Sequence, residues 1–406
     1  MQLLFPYGSI NALIRKALII AIGLVLAGCL PAGPPTATPR SAPSAAPSAA
    51  LAASSVATPG SKAPSIALLD TTHSPFPTAV PPTLVSSGGR LHLFSYNAGS
   101  PPALRYTTLD AAGAAPASSS VLPGTTVVSA AACDRGVSAI VRAGSNHVVV
   151  SIDERGAITS TYPVALPDRP WAAFALACAS ERLWILGLTS DTDSSLLWTA
   201  ALKAGQLDAA TDTPLAERSS RLSVTVLAGD VVALRSHGDQ GDASLMRLRA
   251  GRVIQTVPLH DSVLGAGSVT HVGDQLAVAW TESASVRLRL YSAAFEPSGP
   301  VHRLATAAAP ELLGALFMLP GPGSTLAVSY FTTRLTDDMI ELPDGRTEPA
   351  IQIAQYVVAF DAARGAATNS LPLPMAGGLG GGGWAGDRLL FVVGRFSGVV
   401  ARYQVQ

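Results

Sequence analysis

Charged and aromatic side chains gather into a few short clusters in a chain that is only 13% charged. Asp168 and Arg169 stand beside Trp171, Glu217 beside Arg218, and His260 beside Asp261, while Glu311 stands by itself. The stretch 332–350 is the densest, with Asp337, Asp338, Glu341, Asp344 and Glu348 alongside Arg334 and Arg346. Two kinds of chemistry are open to such a set. Carboxylates facing one another across a sugar would act as acid and base in glycan cleavage, at separations of about 5 to 10 Å. Alternatively, the same groups hold a protein or glycan without reacting with it, the indole of Trp171 by stacking on a ring or by packing inside the fold. Asp337 and Asp338 are adjacent, and neighbours in an extended strand point to opposite sides, which is poor geometry for shared proton transfer.

Other chemistries find less support. No Gly-x-Ser-x-Gly elbow marks a serine nucleophile. Asp191-Thr192-Asp193-Ser194-Ser195 opens like a calcium loop, yet Leu196 stands at the sixth position and Leu202 at the twelfth, where glycine and an acid are needed. The seven histidines are scattered and form no close pair of the kind that zinc uses. Gly377-Gly378-Leu379-Gly380-Gly381-Gly382-Gly383 resembles a phosphate loop only through its glycine density. No helix signal follows it, and close backbone approach or a flexible start to a strand is the better account. Neither a metal nor a cofactor is expected.

The elements that must position these residues come from a repeat. A polar turn followed by branched apolar residues recurs at Gly89-Arg90-Leu91, Asp134-Arg135-Gly136-Val137, Ser180-Glu181-Arg182-Leu183, Gly229-Asp230-Val231, Gly273-Asp274-Gln275-Leu276, Gly323-Ser324-Thr325-Leu326 and Gly386-Asp387-Arg388-Leu389. The spacing is 45 to 50 residues until the last interval, which is 63. A second phrase, an apolar residue and a short turn closing on glycine, keeps step with it at Gly113, Gly156, Gly205, Gly251, Gly299 and Gly365. A fixed period of this size marks a solenoid or a propeller. The apolar runs between the phrases are continuous, as in Val148-Val149-Val150 and Leu389-Leu390-Phe391-Val392-Val393. Such runs suit strands covered on both faces. The chain therefore reads as all-β.

Each unit reads as four strands, A to D; the second unit is predicted at about 125–132, 137–143, 146–152 and 157–164. Seven B strands predict seven blades, within the usual four to eight. The last unit runs out after its third strand, at 399–405, and Ser65-Ile66-Ala67-Leu68-Leu69 is the segment expected to supply its fourth and close the ring. The architecture resembles seven-bladed β-propellers of the WD40 and quinoprotein type. The resemblance covers residues 64–406 and carries no functional residue across, because the Gly-His and Trp-Asp pairs of WD40 repeats and the tryptophan ending of quinoprotein repeats are absent. In such a propeller the B–C and D–A loops share one face, which would gather the clusters at 168–171, 217–218, 260–261 and 311. The long interval falls in the B–C loop of the sixth blade, where 332–350 would be a projecting β-hairpin turning at Leu342-Pro343-Asp344-Gly345. It would be either a solvated hairpin or a partner contact, and long loops in compact domains tend to be functional.

The first 28 residues form a leader. Arg15 and Lys16 precede an apolar run at 17–27 that is too short to span a bilayer. The run ends in Leu26-Ala27-Gly28-Cys29, which resembles the lipobox of bacterial lipoproteins. That resemblance implies cleavage before Cys29, diacylglycerol and palmitate-type acylation on it, and a cell-envelope location. Leu30 follows where inner-membrane retention would use aspartate, which points to the outer membrane if the cell has one. Residues 29–63 are rich in Pro, Ala and Ser with only Arg40 and Lys62 as charges, a composition expected to form a disordered tether. Residues 64–406 are the propeller.

Cys133 and Cys178 remain, each just before a copy of the first phrase. In an oxidising compartment they are either bridged or two buried thiols. The 27 basic and 27 acidic residues cancel, so no field favours nucleic acid or an anionic membrane face. The expected function is a membrane-tethered, extracytoplasmic binding or scaffolding propeller that contacts a protein or glycan through its B–C/D–A face. The alternative is an exported glycan hydrolase or lyase using rim carboxylates.

Overall fold

Continuous apolar runs separated by two-residue turns give antiparallel sheets, and the described residues of the computed structural model form seven of them. It describes residues 64–406 apart from 74–81, 98–102, 117–118, 191–194, 204, 216–218, 237–242, 260–266, 283, 342–346, 375–380 and 394–398. The leader, Cys29 and the Pro/Ala/Ser stretch lie outside the described residues. After β1 (Ile66–His73), the first sheet takes β2 (Thr83–Ser87), β3 (Arg90–Asn97), β4 (Ala103–Leu109) and β5 (Ser120–Leu122). The second takes β6 (Thr126–Cys133), β7 (Gly136–Ala143), β8 (Asn146–Asp153) and β9 (Ile158–Val164), close to the boundaries expected from the repeat. The third takes β10 (Trp171–Ala179), β11 (Arg182–Ser190), β12 (Ser195–Lys203) and β13 (Gln206–Leu215). The fourth takes β14 (Arg221–Leu227), β15 (Asp230–Ser236), β16 (Ala243–Arg249) and β17 (Arg252–Pro258).

The fifth sheet takes β18 (Gly267–Val272), β19 (Gln275–Glu282), β20 (Ser285–Tyr291) and β21 (His302–Thr306). The sixth departs from the four-strand pattern. Beside β22 (Leu312–Pro320), β23 (Thr325–Glu341) and β24 (Thr347–Asp361), the outer place is shared by two short strands, β25 (Ala366–Ala367) and β26 (Leu371–Pro372). The last sheet has β27 (Gly381–Ala385), β28 (Arg388–Val393) and β29 (Val399–Val405), and β1 pairs with β29 from Ile66 opposite Val405 to His73 opposite Val399. Ser65 and Gln406 exchange two backbone hydrogen bonds at one end of this pair, and Asp70 and Arg402 form an ion pair across it.

The core lies between sheets. Its seven buried clusters each join two consecutive sheets, from the Phe94, Tyr106 and Val141 cluster of the first and second to the Leu91, Leu390 and Val400 cluster of the seventh and first. Sheets covered on both sides bury side chains from both faces of their middle strands, which accounts for the unbroken apolar runs. Polar side chains then tie the seams. Ser87 donates to the carbonyl of Gly136, Ser180 to that of Gly229, and the Trp384 amide donates to the Ser86 hydroxyl at 2.7 Å.

The second phrase also works across seams. Gly156 has φ of 86° and packs on Tyr106 and Thr108 of the preceding sheet, and Gly251 has φ of 76° and packs on Trp184, with Thr199 donating to its carbonyl at 2.6 Å. A side chain there would be strained in φ and would also strike the neighbouring sheet. The described part of the glycine run, Gly381 to Gly383, lies in β27, where added Cβ atoms would collide with Leu84, Phe391 and Leu91. Gly381 and Gly383 therefore serve close packing at the seam between the last and first sheets, and Gly382 serves it within the last sheet.

The two remaining cysteines sit on adjacent innermost strands. Cys133 ends β6 and Cys178 is one residue from the end of β10, with Cα atoms 5.1 Å apart and the two sulfurs bonded. That separation is within disulfide reach.

Candidate partner-binding face

In an antiparallel meander the B–C turn and the connection to the next sheet fall at the same end. Among the described residues, that end carries Asp168, Arg169, Trp171, Glu311 and the extended part of β23. Arg169 is committed: it donates twice to Asp212 on β13, at 2.7 and 2.9 Å, which raises its already high pKa. Trp171 is committed too. Its indole N–H donates to the Pro167 carbonyl, and its ring lies on Gly187 between Phe174 and Trp198, at 4.8 and 5.6 Å. The guanidinium of Arg169 stands 5.9 Å from that ring. Trp171 is thus a packing residue within the third sheet rather than a ring offered for stacking.

Asp168 is exposed and Glu311 half-buried in the tight turn Ala308–Glu311. Asp337 and Asp338 are exposed on β23, and Glu341 pairs with Thr347 through the backbone. Glu217, Arg218, His260, Asp261 and Arg346 lie outside the described residues, as do Asp191 to Ser194. The described residues contain no group of three His, Cys, Asp or Glu side chains placed to hold a metal.

The largest feature of this end is the extension of β23 and β24. They run for 17 and 15 residues, while β7 and β8 of the second sheet have eight each. Pairing continues from Thr325 opposite Asp361 to Glu341 opposite Thr347, with a register shift between Leu335 and Met339. Beyond Leu312, the strand β22 no longer accompanies them. The expected hairpin is therefore present, built as an overshoot of the sixth sheet. Near its base Tyr330 and Tyr356 stack at 5.4 Å, and burial pushes the Tyr330 hydroxyl pKa up. Ser329 donates to the Tyr356 carbonyl and accepts from Gln355, which anchors the root of the hairpin.

Sequence reasoning weighed the charges of this insert and passed over its apolar residues. Opposed residues of an antiparallel pair share a face. Leu312, Thr333 and Ile353 therefore lie in one row, followed by Leu335 with Ile351 and then Met339 with Pro349. Arg334 and Gln352 occupy the other face.

The opposite end of the sheets holds a cleft of about 610 Å³ between the third and fourth, lined by Arg182, Trp184, Asp230 and Arg249 among others. Arg249 donates twice to Asp230 there, at 2.9 and 2.8 Å, and holds that carboxyl below its usual pKa. Ser180, Ala228 and Ala250 at its margin have positive φ values of 51°, 51° and 49°. Between the first and second sheets His92 is fully buried, its Nδ1 2.8 Å from the Tyr106 hydroxyl, and burial pushes its pKa down to about 4.

Among known proteins, no family model matches this chain, and no curated protein matches it in sequence. Solved structures do resemble it. The β-propeller domain of Cps50 (Swd1) from Myceliophteria thermophila aligns at 12% identity with a TM-score of 0.51, over 84% of this chain and 99% of that one. The Dos1 propeller aligns at 8% identity with a TM-score of 0.49, over 84% and 95%. A structure of BBS1N in complex with ARL6DN aligns at 12% identity with a TM-score of 0.49, over 84% and 97%. At these identities the likeness concerns the fold alone, which is that of a β-propeller.

Proposed function

We propose that this chain is an exported, membrane-tethered binding protein, a closed ring of seven blades that meets a protein or glycan partner through the end bearing the β23–β24 hairpin. Closure is supported by the pairing of β1 with β29 and by the buried cluster between the last and first sheets. Export and anchoring through Cys29 are supported by the leader and by Leu26-Ala27-Gly28-Cys29. The bond between Cys133 and Cys178 fits an oxidising compartment. The binding role rests on one observation. The single large break in the repeat is an overshoot of two strands that leaves apolar side chains in solvent, a feature folding does not require. No arrangement among the described residues favours the hydrolytic alternative.

The test uses the full-length chain and a variant in which 334–352 are replaced by Asn-Gly, each as affinity bait against envelope extracts of the cell that makes it. The reading predicts at least one protein or glycan recovered by the native chain and lost from the variant. Equal recovery of everything from both baits would sink it. Anchoring is checked separately by incorporation of an alkyne-bearing palmitate, expected for the native chain and absent after Cys29→Ala.

A further inference from the structure

The apolar face of the hairpin has a composition that restricts what can cover it. Of its residues, Leu312 is 51% exposed, Leu335 40%, Met339 56%, Ile351 41% and Ile353 41%. The shared register places all five on one side of the extended strands, and Pro349 opposite Met339 is exposed there as well. Contiguous apolar surface of this kind marks an interaction site in a soluble protein, whereas single exposed apolar residues do not. Toward its root the same face continues through Phe331, Phe317 and Val357 into the core shared with the last sheet. The patch is thus rigidly based at one end and projects at the other.

Its border is acidic. Asp337 and Asp338 occupy the register shift between Leu335 and Met339, both exposed, and neither forms an ion pair among the described residues. No described residue of the apolar face is basic; Arg334 belongs to the other side. This arrangement opposes a second copy of the chain in two ways. A bulge carrying charge blunts the open edge of β23 against strand-to-strand pairing. A copy of the same face would also bring no cation to the two carboxylates, leaving like charges near one another. A lipid surface is opposed for a related reason, since the carboxylates would enter the headgroup layer beside the apolar row without a partner.

Building on the proposed binding role, we propose that this face docks a protein segment with an apolar row bordered by lysine or arginine, the basic groups meeting Asp337 and Asp338. Leu335, Met339, Ile351 and Ile353 form the apolar floor, and the carboxylates select the partner and set its register. Arg334 and Gln352 remain in solvent.

The probes are two synthetic peptides with the same leucine- and isoleucine-rich row, one flanked by lysines and its twin by glutamates, titrated against the full-length chain by fluorescence anisotropy. The lysine peptide is expected to bind at least about tenfold tighter than its twin. Leu335→Ser with Ile351→Ser is expected to weaken it by at least about tenfold, and Arg334→Ala with Gln352→Ala to leave it unchanged. Asp337→Asn with Asp338→Asn should abolish the difference between the twins. Met339→Ser with Ile353→Ser supplies a second floor variant should the first fail to fold. Equal binding of the twins, or lysine-peptide binding indifferent to both floor variants, would overturn the proposal. So would a self-association detected by sedimentation, or flotation with phosphatidylcholine vesicles, that the floor variants abolish. A partner recovered only when the hairpin is present, yet unaffected by the floor variants, would leave the binding role standing and remove this assignment.

Discussion

The second sheet and the sixth begin from the same repeat and end differently. In the second, strands of seven or eight residues are matched to their neighbours. Val137, Ala139, Ile140, Val141, Val149 and Val150 are almost wholly buried between the flanking sheets. In the sixth, β23 and β24 share that pattern as far as Thr332, where burial ends, and then continue into solvent with apolar side chains still on one face. Burial between sheets explains the apolar residues of the first kind, because each buried side chain contributes about 1.5–3 kcal/mol. It does not explain the second kind. Residues that pack between sheets and residues that face outward are therefore separated along a single pair of strands.

Substitution where side chains are packed between sheets should break this comparison most visibly. Phe391→Ala, in a fully buried position of the last sheet, is expected to cost about 3–5 kcal/mol in urea unfolding. Leaving its midpoint unchanged would mean that the sheets are not packed as described. Next comes the tie between the second and third sheets. Cys133→Ser with Cys178→Ser opens a link spanning 45 residues and should cost about 2–4 kcal/mol. The native protein, unfolded without reductant, should accordingly yield no alkylatable thiol from either position.

Acid should act on the regular sheets. The buried ring of His92 is held neutral, with its pKa pushed down to about 4 from an ordinary 6.5. A folded pKa below the unfolded one means that the contribution is complete above pH 6.5 and is lost as pH falls toward 4. The loss amounts to about 3 kcal/mol over that window. Urea midpoints at pH 7 and pH 4.5 should differ less in His92→Gln than in the native chain; an equal difference would assign the acid sensitivity elsewhere. The smallest effect belongs to the overshoot. Leu335→Ser should change stability by no more than about 0.5 kcal/mol, and a larger loss would make the hairpin part of the scaffold.

Much of the scaffold was legible in the sequence because its signals are local. Two-residue turns and glycine-closed turns recur at fixed spacing, and the pairing of β1 with β29 follows from an outer strand missing at the C-terminal end. The clusters at the loop end were less legible. Arg169 looks available in sequence, yet its partner Asp212 is 43 residues away on the outer strand of the same sheet. Trp171 looks like a stacking ring, but the groove that accepts it exists only because residue 187 is glycine. The hairpin itself was foreseen from the 63-residue interval, while its apolar face was obscured by the acidic pair set into it. Leu335 and Met339 keep the same parity on β23, but Asp337 and Asp338 stand between them, and the opposing row of Pro349, Ile351 and Ile353 makes the face continuous.

The division between packed sheets and overshoot is tested most directly by thermal unfolding of the chain in which 334–352 are replaced by Asn-Gly. Thr333 and Ile353 are directly opposed, so a two-residue turn can join them without disturbing the sheet beneath. If the overshoot is an outward-facing addition to a complete ring, the unfolding midpoint should stay within about 2 °C of the native value. A fall of about 10 °C or more would show that the hairpin supports the ring, and would contradict the account.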